Sequence, residues 1–263
     1  MSGLVYHTRV TLWHALATIA AGFGAGAINT IVGSGSLISY PVMVLLGVPP
    51  ISANIANTVG LVPGSVAGVW GYRRELAQIR PLLVKLGIAS VLGALIGASL
   101  LTVLPPRAFQ LIVPVLILGA ALLVAFQTKI LRSMKPVNGT RWLPLLVCVF
   151  AAGLYGGYFS AAQGVILLAV LGLFLAEGIQ VQNALKNLLQ CLVNIVAAVY
   201  FVISGKVEWE WAGCVAIGSI FGALVGAWLA RRAPARVFKI FIVVFGLVMA
   251  VVMGILAVHP IGS

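Results

Sequence analysis

The sequence predicts an all-α membrane protein of ten hydrophobic segments, arranged as two five-segment repeats of inverted topology whose short second and seventh segments are half-helices. Three observations predict it. Apolar residues make up 62% of the chain and charged ones only 8%, a balance that no water-facing surface can cover. The chain repeats itself at an offset of 129 residues: "IASVLGALIGASLLTVLPPRAF" from Ile88 and "IGSIFGALVGAWLARRAPARVF" from Ile217 agree at half of their 22 positions without a gap. Finally, the loops rich in Lys and Arg change sides between the copies, as inverted halves require.

A full crossing needs about 20 largely apolar residues. In the first half, runs of that kind lie at roughly 10–32, 52–72, 82–104 and 107–127, with a shorter run at 36–48. In the second half the counterparts are roughly 141–160, 181–203, 211–230 and 236–258, with the short run at 164–176. Residues 1–128 are therefore read as one repeat, 129–140 as a basic linker and 141–263 as the second repeat, together forming one membrane domain. Arg9 followed by an apolar run mimics a secretory signal, but the run from Thr11 matches the interior of the chain from Thr140, so it is expected to belong to the folded unit. The register also pairs Trp13 with Trp142, Gly24 with Gly153, Gly35 with Gly164 and Asn54 with Asn183.

The net charge of +12 reflects topology rather than a nucleic-acid partner. Arg73, Arg74 and Arg80 follow the third segment, Lys129, Arg132, Lys135 and Arg141 fill the link between halves, and Arg231, Arg232 and Arg236 follow the ninth. All three loops are expected on the cytoplasmic side. The counterpart of the first basic loop, "SGKVEWE", offsets Lys206 with Glu208 and Glu210, and "LPPR" carries one Arg. Inversion needs an odd number of crossings per half, so the short runs count as crossings and both chain ends face outward.

Each short run begins among small or polar residues, "NTIVGSGS" from Asn29 and "SAAQG" from Ser160. Breaks are expected there. Gly33 and Gly35 let the backbone approach a ligand, Ser34 and Ser36 add hydroxyls, and Gln163 and Gly164 hold the equivalent place in the second half. The start of each half-helix presents amide donors suited to an anion, although runs of small residues serve close helix packing equally well. The next segments open with Asn54, Asn57 and Thr58 in one half and Asn183, Lys186 and Asn187 in the other, continued by Gln190 and Asn194. Lys186 is the expected fixed positive charge of a cavity between the halves. An ammonium inside a membrane segment is costly and faces a cavity or a partner, while the alternative is snorkelling to the interface. Lys85 lacks a polar stripe and is assigned to the interface.

The chain has no Asp, and its four Glu residues, 75, 177, 208 and 210, lie near segment ends, which leaves no buried acid pair for a proton relay. Glu177 remains a weak candidate for proton coupling. An anion exporter needs no coupling ion, because moving one negative charge outward is favourable by about 2.3 kcal/mol per 100 mV. His7, His14 and His259 show no metal-binding spacing, Cys148, Cys191 and Cys214 are scattered packing residues, and "GFGAGAIN" lacks the strand and acidic residue of a dinucleotide loop. No catalytic residue, metal or cofactor is expected, and the chain is not read as an enzyme. A duplicated membrane domain is the ground plan of a secondary transporter. The alternatives are an anion channel on the same scaffold and a non-transport membrane protein, either an assembly partner or an intramembrane enzyme.

At "GFGAGAINTIVGSGSLISYPVMVLLGVPPISANIANT", at "GALIGASLLTVLPPRAF" and at its echo "GALVGAWLARRAPARVF", the sequence resembles the sulfite exporter TauE/SafE family. The resemblance covers nearly the whole chain. It implies a multi-pass carrier of the bacterial inner membrane for sulfite, sulfonates or related organic anions, moved by export through alternating access at the repeat interface. The second-half stretch "YFSAAQGVILLAVL" departs from the Gly triplet and Pro often found there, with Gln163 and Gly164 in their place. The partners expected are a small anionic substrate and membrane lipid, with a homodimer as an option and no nucleic acid.

Overall fold

The computed structural model describes residues 10–77, 79–133, 141–229, 232 and 235–258, and among them the only regular structure is helix. Eleven helices follow one another: α1 (Leu12–Ile31), α2 (Ser36–Leu45), α3 (Pro50–Gly71), α4 (Arg73–Leu76), α5 (Arg80–Val103), α6 (Pro106–Ser133), α7 (Trp142–Tyr158), α8 (Gln163–Phe174), α9 (Ile179–Ile203), α10 (Trp209–Leu229) and α11 (Ala235–Val258). Ten of them match the ten expected segments within a few residues. The eleventh, α4, is a single turn inside the first basic loop. A second difference lies at the linker, where α6 continues to Ser133 because nothing from Gln127 to Ser133 breaks a helix. Residues 134–140, the two chain ends, His7, His259, Lys135 and Arg231 lie outside the described residues.

Six helices are long and apolar enough to cross a membrane: α1, α5, α6, α9, α10 and α11. At 22 residues α3 matches them in length, and its Asn54, Asn57 and Ser65 lower its hydropathy. The shorter apolar helices are α2, α7 and α8. Local chemistry sets several boundaries. Thr11 caps α1 by accepting from the His14 amide at 3.4 Å, prolines stand in the first turns of α3 and α5, and Gly47 at φ +92° closes α2.

The surface is inside-out relative to a water-soluble protein. Leu, Ile, Val and Phe side chains of α5, α6, α10 and α11 are exposed, whereas Asn54, Asn57, Lys186, Gln190 and Asn194 are buried. Lipid is the solvent that makes this arrangement favourable. Trp13, Trp70, Trp142, Trp209 and Trp228 stand exposed near helix ends, the pattern of an interfacial aromatic belt.

Glycine contacts fix the helix directions. Gly22 lies against Val215, Gly26 against Ser219 and Gly226 against Ala27, so α1 and α10 run parallel with their backbones in contact. Gly60 meets Val215, Gly64 meets Ser219 and Gly71 meets Ala227, so α3 runs the same way. Small residues permit this approach, which is how helices gain packing energy in lipid without a hydrophobic driving force. Because α1 and α3 point in one direction, α2 and its flanking loops return the chain between them. Similarly, α5 and α7 are parallel, with Gly93 against Phe150, Gly97 against Leu154 and Gly157 against Ala94.

The course of α3 opposes that of α9. Ala53 and Ala56 at the start of α3 cluster with Ala197 and Phe201 near the end of α9, whereas Tyr72, just past α3, clusters with Ala184 and Leu185 near the start of α9. Between them Asn194 Nδ2 donates to Ser65 Oγ at 3.0 Å, joining two residues exactly one repeat offset apart. One end of the bundle thus holds α4 with the ends of α3 and α10, and the other end holds the α2–α3 and α5–α6 connections.

Candidate binding site at the helix crossing

Two chain breaks meet at the centre of the bundle. The stretch between α1 and α2 turns through Gly33 at φ +87°, and the stretch between α7 and α8 turns through Ala162 at φ +58°. The breaks touch, and Gly164 N donates to Gly33 O at 3.0 Å. A β-carbon on either glycine would stand 2.5 Å from the other's Cα, so only two glycines can cross here.

Around this crossing the polar residues are buried and bonded across distant parts of the chain. Lys186, with no exposed surface, donates from Nζ to Thr30 O at 3.1 Å and Asn29 O at 3.4 Å, at the last turn of α1. These carbonyls are the unsatisfied acceptors that any helix end leaves, and they carry the negative end of its dipole. Burial therefore removes the snorkelling alternative for this ammonium. Gln190, one turn further along α9, donates from Nε2 to Asn29 Oδ1 at 3.2 Å and to Gly33 O at 3.4 Å. The Gly35 amide also donates to Asn29 Oδ1, at 3.5 Å.

A second set of bonds ties the first break to the second. Ser36 Oγ and Ser160 Oγ are 2.6 Å apart, Asn57 Nδ2 donates to Ser36 Oγ at 2.9 Å, and Ser39 Oγ donates to Asn57 Oδ1. Asn54 Nδ2 donates to Tyr158 O at 3.0 Å, at the last residue of α7. In the repeat register Tyr158 corresponds to Asn29, so each half sends a polar side chain to the helix end of the other.

Several buried polar atoms have no partner: Ser34 Oγ, both side-chain atoms of Gln163, Asn187 Nδ2, and the amide oxygens of Asn54, Gln190 and Asn194. Among the described residues, leaving such atoms unpaired costs about 1–3 kcal/mol each, a cost that a bound polar molecule would lift.

The expected residues thus mostly converge. Gly33, Ser34, Gly35, Ser36, Asn54, Asn57, Gln163, Gly164, Lys186 and Gln190 surround or adjoin the crossing, and Thr58 and Asn187 are buried next in the chain to Asn57 and Lys186. Asn183 is half-buried, and none of the cluster's hydrogen bonds reaches it. Sequence reasoning missed Asn29 as a hub, Thr30 beside it, and Ser39 as a partner of Asn57. Asn29 opens the quoted motif and bonds the nearby Gly35 amide, but its side-chain partners, Lys186 and Gln190, are 157 and 161 positions away. The first amides of α8 are engaged inside the protein, Gln163 N with Ser160 O and Gly164 N with Gly33 O.

Outside the cluster the side chains have structural surroundings. Lys85 is exposed with its ammonium 4.5 Å from the Trp142 ring centre. Glu177 is exposed in the loop before α9. The three cysteines are free, and among the described residues no group of three His, Cys, Asp or Glu could hold a metal ion.

The family model for "Sulfite exporter TauE/SafE" matches residues 18–253. A "Probable membrane transporter protein ORF9" from Sinorhizobium sp. is 26% identical over 262 residues, covering 99% of this chain and 98% of its own length. A "Probable membrane transporter protein" from Haemophilus influenzae is 26% identical over 230 residues, covering 87% of this chain and 89% of its own. "Probable membrane transporter protein YfcA" from Escherichia coli is 25% identical over 232 residues, covering 86% and 84%.

Proposed function

From the premise that this chain belongs to the sulfite exporter TauE/SafE family, and is thus a multi-pass membrane transporter and not an enzyme, we propose that it is a secondary carrier of a small oxyanion. Sulfite, a sulfonate or a related organosulfur anion is the substrate class, export is the direction, and the bacterial inner membrane is the location. The observation that carries the reading is Lys186: a fully buried ammonium whose two hydrogen-bond partners are neutral carbonyls. An anion arriving there gains a charge-assisted bond and relieves an ion held without a counter-charge. Ser34, Gln163 and Asn187 supply further donors within the same cluster, and their atoms are available without breaking a bond.

The two halves form inverted repeats of five segments each, on this reading, with the site where they meet. The opposed courses of α3 and α9 and the return of the chain through α2 support it. Alternating access follows from rocking one half against the other, presenting the Ser34 and Gln163 helix starts and Lys186 to each side in turn. The cluster has no exposed surface at Ser34, Asn57, Gln163 and Lys186, the condition of an occluded state.

A thermal-shift screen of the purified protein against sulfite, sulfate, thiosulfate, sulfonates and carboxylates tests the substrate. Stabilisation by sulfite or a sulfonate is expected, and hits confined to carboxylates would overturn the sulfur assignment. Saturable flux with exchange in proteoliposomes separates a carrier from a channel, whose flux is linear. Topology has its own check. Single cysteines placed in the 73–80 and 231–236 loops are expected to react from the same, cytoplasmic face. Labelling from opposite faces would refute the inverted arrangement.

A further inference from the structure

Two grooves flank the polar cluster, one toward each end of the bundle. The first, of about 380 Å³, is lined by Tyr40, Val44, Gly47, Pro50, Gln110 and Met253, between α2, α6 and α11. The second, of about 180 Å³, lies between α6, α7 and α8 and is lined among others by Leu123, Gln127, Ala169 and Leu173. They occupy equivalent places: in the repeat register Tyr40 corresponds to Ala169 and Val44 to Leu173. With opposed halves, the first groove opens at the end away from α4 and the second at the α4 end.

What separates each groove from the polar cluster differs. Tyr40, which lines the first, packs edge-on with Phe109 and Phe159 behind it, with ring centres 5.3 Å apart for Tyr40 and Phe159, 6.4 Å for Tyr40 and Phe109 and 6.2 Å for Phe109 and Phe159. Tyr158 joins it, 5.7 Å from Phe109. The first three are essentially without exposed surface. Three of the four, Tyr40, Tyr158 and Phe159, belong to or adjoin the bonded polar set. Tyr40 follows Ser39, which donates to Asn57; Phe159 precedes Ser160, which bonds Ser36; and the Tyr158 carbonyl accepts from Asn54. At the equivalent positions of the other half stand Ala169, Phe238, Thr30 and Asn29. The only aromatic ring retained there is Phe238, and the residues that stand in place of Tyr158 and Phe159, Asn29 and Thr30, are the carbonyl partners of Lys186.

We propose that Tyr40, Phe109, Tyr158 and Phe159 are the gating residues of one access route, an aromatic plug whose parting connects the polar cluster to the groove away from α4, while the opposite route is closed by the polar Lys186 latch. The proposal rests on the reading of the cluster as the transported substrate's site, but not on which anion binds. The plug spans three helices, α2, α6 and the end of α7, that belong to both halves. Rocking of the halves therefore separates Phe159 and Tyr158 from Tyr40 and Phe109. Edge-to-face rings hold by dispersion and quadrupole attraction without directional bonds, so the bonds exchanged as they part are the neighbouring ones, Asn54 to the Tyr158 carbonyl and Ser36 to Ser160. The other barrier opens only when Lys186 exchanges carbonyls for another acceptor, which ties its opening to an arriving anion.

Cysteine accessibility tests this in the full chain carrying Cys148→Ala, Cys191→Ala and Cys214→Ala. Ser160→Cys reports from the site side of the plug and Thr30→Cys from the latch. A membrane-impermeant methanethiosulfonate whose head group is a quaternary ammonium, and so no member of the proposed substrate class, is added to the face away from α4 for the first reporter and to the α4 face for the second. Phe109→Ala, with Phe109→Leu as the milder variant that keeps the apolar filling, is expected to speed Ser160→Cys labelling tenfold or more and to leave Thr30→Cys unchanged. Acceleration of both reporters would mean general loosening and overturn the plug, as would fast labelling with the plug intact or no acceleration in either Phe109 variant and in Tyr40→Ala. Labelling needs no substrate, so this failure would leave the anion reading standing, and a failed ligand screen would leave the plug standing.

Discussion

Lys186→Met is expected to remove anion binding while leaving the protein folded. Among the described residues the ammonium is the only charge bonded into the central cluster, where its two partners are carbonyl oxygens at the end of α1. A hydrogen bond to a charged group is worth about 1.5–3 kcal/mol, so its loss weakens binding by roughly 10- to 100-fold at the least. The low dielectric of the site raises that figure. Folding moves in the other direction or not at all, because replacing a buried charge by an apolar side chain of similar length lifts a desolvation cost. The Asn29 and Thr30 carbonyls lose a donor, which offsets part of this gain. Thermal-shift titration with sulfite and uptake into proteoliposomes measure the loss, and size-exclusion chromatography in detergent checks the fold. Retained sulfite or sulfonate transport in correctly inserted Lys186→Met protein would remove Lys186 from the site.

The second large effect is on assembly. Gly33→Ala and Gly164→Ala are each expected to destabilise the protein, Gly33→Ala more. A β-carbon on Gly164 would stand 2.5 Å from Gly33 Cα and 2.6 Å from Gln190 Oε1, and the backbone of the crossing cannot give way without breaking the Gly164 to Gly33 hydrogen bond. Overpacking of this kind costs about 1–3 kcal/mol. At Gly33 the backbone sits at φ +87° as well, adding about 1–2 kcal/mol for a residue with a side chain. The sum for Gly33→Ala, about 2–5 kcal/mol, corresponds to a fall of about 5–15 °C in melting temperature. Gly119→Ala is the control, since nothing lies within 4 Å of a β-carbon there. Equal melting temperatures for Gly33→Ala and Gly119→Ala would show that the crossing is not tightly packed.

The polar stripe of α9 was legible because helical spacing places Asn187, Gln190 and Asn194 on a common face with Lys186 nearby. Its partners were not. Asn29 looks like an ordinary polar residue at the end of an apolar run, and nothing local marks it as the acceptor for Gln190 or its carbonyl as the acceptor for Lys186. Asn183 shows the converse. Its register with Asn54 and its spacing from Lys186 placed it in the site, yet Asn54 reaches the end of α7 while no bond of the cluster reaches Asn183. The aromatic plug was also invisible, because its rings come from α2, α6 and α7 and follow no local period.

The sequence by itself determined ten of the eleven helices, most of their bounds, the repeat at 129 residues and the family, because hydropathy over about 20 residues and self-similarity are properties of the chain alone. The positions of the breaks followed too, since glycine and serine runs weaken a helix wherever they fall. Only the tertiary structure decided which breaks cross and which carbonyls receive Lys186. Those are contacts between residues more than a hundred positions apart. In lipid they are selected by close backbone packing and by the need of every buried donor and acceptor for a partner, conditions that exist only once the helices have assembled.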